Sequence, residues 1–301
     1  MKQIMCLLII ILLLCGCAEQ LPEVKESSPA TIPEPDYLAL EREYQAEHQS
    51  ILQSTREGPY DGVIAVVRIE GLIDTDDVLS IAQHLREIGE DPLIEGVLLW
   101  VDSPGGSVSA VTQITYEVER LKSAKPIVAF SGGIAASGGY YIMSVCDRIV
   151  VRADAEVGSI GVIFVHVDAS GYYSQFGFNI EVIKTGVHKD AGADWRALDD
   201  VERQLITESV FDAFYRFIYT VSRGRNLSRK TVEDHADGFT WYGTEAVEWG
   251  FADIVGTFDD AVRELEQLIG LQRAELLFYQ VTCEEDSMGY SWESVQYLYT
   301  T

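Results

Sequence analysis

The chain has 301 residues, 47% of them hydrophobic and 23% charged, enough to bury a core in one large α/β domain or two modest ones. With 48 acidic against 22 basic residues its formal net charge is −26, which repels phosphate backbones and anionic headgroups. That balance argues against nucleic acid as a partner and requires a dedicated anchor for any membrane contact. The five cysteines, Cys6, Cys15, Cys17, Cys146 and Cys283, show no CxxC and no Cys/His spacing suited to a metal, which disfavours a disulfide framework and a structural zinc. Cys146, inside an apolar stretch, reads as a small buried hydrophobe.

At the front, Lys2 precedes an apolar run from Ile4 to Leu14 that ends in Leu14-Cys15-Gly16-Cys17. A basic start, an apolar run and small residues at a cleavage point are the parts of an export signal. The run is short for a lone span of about 30 Å of hydrocarbon. Leu-x-Gly-Cys in that position resembles a bacterial lipoprotein lipobox, which implies cleavage before Cys17 and its acylation. The alternative is an uncleaved signal anchor, and both place the rest of the chain outside the cytoplasm, attached to a membrane. Residues 18–59, where Pro22, Pro29, Pro33 and Pro35 alternate with glutamates and serines, read as a charged tether, with a short helix around Tyr37–Gln53.

From Gly62 the pattern is α/β. Gly62–Glu70 is a β-rich run, Asp76–Ile88 has helical spacing with Asp76 or Thr75 as N-cap, and Gly96–Val101 is a second apolar strand ending in Asp102-Ser-Pro-Gly-Gly. A helix over Ser107–Leu121 and a strand over Ile127–Phe130 follow. Ala135–Cys146 reads as helical, Arg148–Val151 as a strand, Gly158–Val167 as a loop and strand, Ala169–Phe176 as a helix and Ile180–Lys184 as a strand. Helices then dominate, over Leu198–Arg223, Ser228–His235, Thr244–Trp249 and Asp259–Leu268. Continuous apolar strands alternating with amphipathic helices imply a sheet covered on both faces. The aromatic-rich tail, Ala274–Thr301, reads as a docking segment, with a neighbouring subunit as one partner for it.

Three glycine-rich stretches follow or flank strands, where α/β sites usually lie. Asp102-Ser-Pro-Gly105-Gly106 turns a strand end into a helix and exposes N–H groups suited to an oxyanion, although a plain tight turn explains it equally well. In Ala-Ala-Ser137-Gly138-Gly-Tyr-Tyr the serine is sterically open and the N–H of Gly138 can face a developing oxyanion; taken alone, Ser137 could be a simple N-cap. No histidine has a context that pairs it with Ser137, whereas a lysine serves as base when desolvated, and Lys184 and Lys189 both follow the Ile180 run.

Those stretches, taken in series with Gly158-Ser159-Ile-Gly-Val and Lys184-Thr-Gly-Val-His-Lys189-Asp-Ala, resemble the signal peptide peptidase A (protease IV-like) serine peptidases, short single-repeat type, over roughly Gly62 to Leu268. The resemblance implies a ClpP/crotonase-like spiral of ββα units with a helical C-terminal portion. It implies Ser137 as nucleophile, Lys189 and not Lys184 as general base, Ser159 as the residue that orients the lysine, and Gly105 or Gly106 with Gly138 as oxyanion hole. It implies no metal or cofactor, peptide substrates such as signal peptide remnants or unfolded apolar segments, and a homo-oligomeric ring. The expected organisation is a signal sequence over 1–17, the tether over 18–59, a peptidase domain over 60–270 and a tail over 271–301. Two departures stand out: Gly192-Ala-Asp-Trp195-Arg196 replaces a Ser/Pro-rich segment, and the anchor resembles a lipobox where many relatives use a transmembrane segment. A crotonase-like acyl-CoA enzyme is disfavoured by export and by the Ser/Lys pair. A catalytically silent peptide-binding lipoprotein is the remaining alternative.

Overall fold

The computed structural model describes residues 59–279. The signal sequence with Cys17, the tether, the helix around Tyr37–Gln53 and the tail beyond Tyr279 lie outside the described residues. Among the described residues no helix is long and apolar enough to cross a membrane.

Strand β1 (Gly62–Ile73) runs into α1 (Thr75–Glu90), then β2 (Ile94–Gly106) and α2 (Val108–Lys122). Ile64 to Val67 are all fully buried, as expected for a parallel strand covered on both faces. On α1, Val78, Ile81, Leu85 and Ile88 form the buried stripe, and α2 meets it with Val111, Ile114, Val118 and Leu121. Ser107 caps α2, its hydroxyl accepting the Ala110 N–H.

Next come β3 (Ile127–Ser131), β4 (Ile134–Ala136), α3 (Gly138–Met143), β5 (Arg148–Val151) and β6 (Glu156–Gly158). β3 and β5 extend the main parallel sheet from β2, while β4 and β6 build a second, smaller sheet beside it. Each turn of chain thus gives one strand to each sheet and then a helix, the spiral of ββα units that the motif resemblance implies. β2 does both jobs in one strand: its first half pairs with β3, and its extension pairs with β4 at Ser103 and Ala135.

The helical C-terminal portion contains α4 (Ser170–Gln175), α5 (Asp200–Gly224), α6 (Arg229–Asp234), α7 (Gly243–Glu248) and α8 (Phe258–Ile269), with short strands β7 (Thr240–Tyr242) and β8 (Ile254–Val255) between them. β7 closes the small sheet antiparallel to β6, and α8 covers β2, β3 and β5. Buried Cys146, whose thiol is pushed up to about 12 by desolvation, sits in the core as the sequence implied.

Four local expectations are corrected. Asp102–Gly106 is strand, not a turn, because β1 continues beside it to the Ile73–Gly106 pair. Ala135 and Ala136 are strand because β2 and β6 flank them, and helix begins only at Gly138. The strands expected within Gly158–Val167 and over Ile180–Lys184 do not form beyond Gly158: a strand needs a partner, and neither run pairs with one among the described residues. Residues Ala274–Tyr279, expected as the start of a tail, form β9 parallel to β1 at the sheet edge.

Candidate active site

The extension of β2 is braced from within. Ser103 is fully buried; its hydroxyl donates to the Gly71 carbonyl at 2.6 Å and accepts the Gly105 N–H at 3.0 Å. Gly105 has φ +104°, and a Cβ there would stand 2.7 Å from the Gly138 nitrogen and 2.8 Å from the Ser137 Cβ. Only glycine permits that approach. The Gly106 nitrogen comes to 3.2 Å from the place a Cβ on Gly138 would occupy. Of the two glycines the sequence left open, Gly106 reaches the cleft, whereas the Gly105 N–H is engaged by Ser103.

Ser137 sits on the turn from β4 to α3 with φ 51° and ψ −117°, near the first central position of a type II′ turn, a conformation that L-residues seldom adopt. Its N–H donates to the Gly158 carbonyl at 2.8 Å and its carbonyl accepts the Tyr141 N–H at 2.9 Å, so both backbone groups are fixed. The hydroxyl makes no capping bond. The bland N-cap reading therefore fails, and a serine side chain is presented by a strained strand-to-helix turn. Gly158, whose carbonyl holds Ser137, has φ +99°, and a Cβ there would lie 2.6 Å from the Trp241 ring. This support from β7 was not anticipated.

Ser159, next in the chain, is also held at positive φ (49°). Its N–H donates to Phe239 O and its hydroxyl to Gly238 O, both at 2.8 Å. The hydroxyl oxygen can still accept. Gly106, Ser137, Gly138 and Ser159 line one cleft of about 560 Å³, walled by Val111 from α2 and by Phe214 and Phe217 from α5. A wider groove of about 970 Å³ between α1, α2 and α5 is lined by Arg86, Tyr116 and Arg216 and contains none of the expected site residues.

Lys189 is exposed and does not line the cleft. Lys184 is engaged, its ammonium donating to Val187 O at 2.7 Å and pairing with Asp190. Asp190 also accepts from Arg196, which forks on to Glu202 at 2.6 and 2.7 Å. Hydrogen bonds from Arg196 and then Lys184 hold the Asp190 carboxyl far below the usual range, and Arg196 is the main cause of Glu202 falling to about 2. His188, Asp199 and Glu202 converge within 4.8 Å, yet both Glu202 oxygens are taken by the guanidinium and Asp199 caps α5, a poor donor set for a cation.

Among the described residues no histidine lines the cleft. His84 is buried against Tyr279, His166 meets Ala193 O at 3.1 Å, His188 faces Glu202 and His235 packs on Trp249. The structure thus brings together Ser137, Gly138, Gly106 and Ser159 with Gly105 behind them. It leaves Lys189 apart from them, and Cys17 lies outside the described residues.

Residues 119–272, a stretch that includes Ser137, Ser159 and Lys189, match the family model of peptidase family S49. The chain is 35% identical to an inferred protease of Methanocaldococcus jannaschii, over 65% of this chain and 63% of that protein. It is 34% identical to an inferred signal peptide peptidase SppA of Enterococcus faecium, over 69% and 60%, and 33% identical to protease 4 of Haemophilus influenzae, over 68% and 35%. The chain therefore spans about three fifths of the length of the first two relatives and about one third of the last. The spiral of ββα units, the order of the motifs and the matched residues agree: this chain belongs to peptidase family S49.

Proposed function

We propose that the chain is a serine endopeptidase that uses a Ser137–Lys189 dyad on apolar, unfolded peptide segments, signal peptide remnants among them. The observation that carries this reading is a strained, unengaged serine in an apolar cleft, beside Gly106 and Gly138 and with no histidine on its walls.

In the reaction, neutral Lys189 takes the Ser137 hydroxyl proton as Oγ bonds to the peptide carbonyl carbon, and the carbonyl electron pair moves onto oxygen. The N–H groups of Gly106 and Gly138 hold that oxyanion, each such donor lowering a barrier by about 2.7–4 kcal/mol. Collapse breaks the C–N bond, and the lysine ammonium gives its proton to the leaving amine. Water, deprotonated in turn by Lys189, releases the acid and restores Ser137. Ser159, its hydroxyl anchored on Gly238, accepts from the lysine and orients it.

A lysine serves as base only when it is dry. Lys189 is exposed in one copy, and from Gly161 to Asp200 no residue is buried. Ile163 and Ile183 are 86% and 93% exposed there, in the two apolar runs expected as strands. A second copy of the chain supplies that cover, in a homo-oligomer where Lys189 of one protomer meets Ser137 of the next. The lipobox-like Cys17 tethers the assembly to the bacterial envelope, where apolar peptide remnants reside.

The full chain in mild detergent, given unfolded casein and apolar fluorogenic peptides between about pH 6 and 10, tests the dyad. Ser137→Ala and Lys189→Ala are expected to abolish turnover, Lys184→Ala not to abolish it, and wild-type activity to climb with pH. An inert, folded wild type, or turnover surviving in Ser137→Ala, would leave the silent peptide-binding lipoprotein as the better reading.

A further inference from the structure

The segment Gly192-Ala-Asp-Trp195-Arg196, where the sequence departs from its relatives' pattern, carries one side chain with a task beyond surface charge. Arg196 reaches two carboxylates at once. One is Asp190, the residue after Lys189, bound at 2.7 and 3.2 Å. The other is Glu202, bound at 2.6 and 2.7 Å and only 1% exposed. Glu202 is also part of the capping box that opens α5, taking the Asp199 N–H at 3.1 Å while Asp199 takes its own at 2.8 Å. The same helix walls the Ser137 cleft with Phe214 and Phe217.

Resting on the Ser–Lys reading, we infer that Arg196 is the positioning residue for the general base, clamping the Lys189 loop to the start of the helix that walls the cleft. Three features support it. The segment has no buried residue between Gly161 and Asp200, so burial does not fix the loop. The guanidinium fork constrains direction as well as distance, which a single ammonium does not. Lys184 closes the loop from the other side by pairing with Asp190, leaving Lys189 between two anchored residues, one of them Asp190 itself.

The test uses the full chain in detergent, with turnover expressed per site titrated by a fluorophosphonate. Arg196→Met is expected to lower kcat by about 100-fold, the loss that about 1 Å of misplacement can produce, with KM changed by less than about threefold. Its alkaline rise in kcat should move to higher pH, because a loosened lysine is better hydrated and harder to deprotonate. Arg196→Lys should recover part of the rate, since it restores charge without the fork. Glu202→Gln should show the same two signatures more weakly, and it carries the test if Arg196→Met does not fold. A wild-type kcat and pH profile per titrated site in Arg196→Met or, where that variant is unfolded, in Glu202→Gln, overturns the inference, even if thermal stability falls. Full activity in Lys189→Ala would instead remove the Ser–Lys reading on which it rests.

Discussion

Three non-glycine residues among those described hold a positive φ: Ser137, Ser159 and Asn226. Two of the three are the serines that the motifs had singled out, so local strain is concentrated at the site. Such conformations cost about 1–3 kcal/mol each and persist only where the surroundings impose them. For Ser137 the imposing bonds are the Gly158 carbonyl on its N–H and the Tyr141 N–H on its carbonyl, both in the backbone. Because the hydroxyl makes no capping bond, Ser137→Gly releases strain without losing one. A glycine also enlarges the unfolded ensemble by about 0.4–1 kcal/mol, which offsets part of that release. Ser137→Gly should therefore be more stable than Ser137→Ala by about 1 kcal/mol in denaturant unfolding, while both are inactive. Equal midpoints would mean that the turn holds no more strain than the unfolded-state cost of glycine offsets. Ser159→Gly should gain less, since its hydroxyl bond to Gly238 is lost. Ser137 was legible as a candidate nucleophile only through the motifs taken in series, since its own neighbours, small residues and a following Gly-Gly, also suit a simple N-cap. Ser103 was not, since its partner Gly71 lies 32 residues away and appears only once β1 and β2 are paired.

At the level of elements, the sequence identified strands where both faces are buried and erred where partners decide. Ala135 and Ala136 have good helix propensity, yet a place between β2 and β6 makes them strand. The two apolar runs expected as strands, within 158–167 and 180–184, pair with no strand among the described residues. What secures that region is polar: Lys184, Asp190, Arg196 and Glu202 in series, ending on the first turn of α5. Its pH response has a definite sign. The Glu202 carboxyl falls from 4.5 to about 2, with the Arg196 hydrogen bonds the largest cause, and Asp190 is lowered further. A depressed carboxylate stabilises the folded state wherever it is also ionised in the unfolded chain, and that contribution fades as pH drops through the folded value. The clamp should be intact above about pH 4.5 and should loosen as pH falls toward about 2. Hydrogen exchange would detect this as early loss of protection at the start of α5, ahead of β1 and β2. Simultaneous loss across all these elements would show that the clamp is no weaker than the core.

At the scale of the whole molecule, the proposed dyad is divided in one copy: Ser137 lines the cleft, while Lys189 is exposed and apart from it. A chain of net charge −26 does not associate through indiscriminate attraction, so the proposed homo-oligomer requires specific apolar surface. The run from Gly161 to Asp200 is the proposed source, with exposed apolar residues on the piece that carries Lys189. Ser137→Ala and Lys189→Ala each lack one half of the dyad, and co-expression at equal levels separates the two geometries. If each site takes its serine from one copy and its lysine from a neighbour, about one site in four pairs an intact Ser137 with an intact Lys189, and turnover returns to about that fraction. If both come from the same chain, no mixture holds an intact site and turnover stays at zero at every ratio. Recovered activity should also fall on dilution to where the assembly dissociates, because mass action then removes the neighbour that donates the lysine. Zero recovery in a mixed assembly shown by light scattering would require the Lys189 segment to fold back onto its own cleft. Its apolar strand-forming runs would then face a different partner than a second copy of this chain.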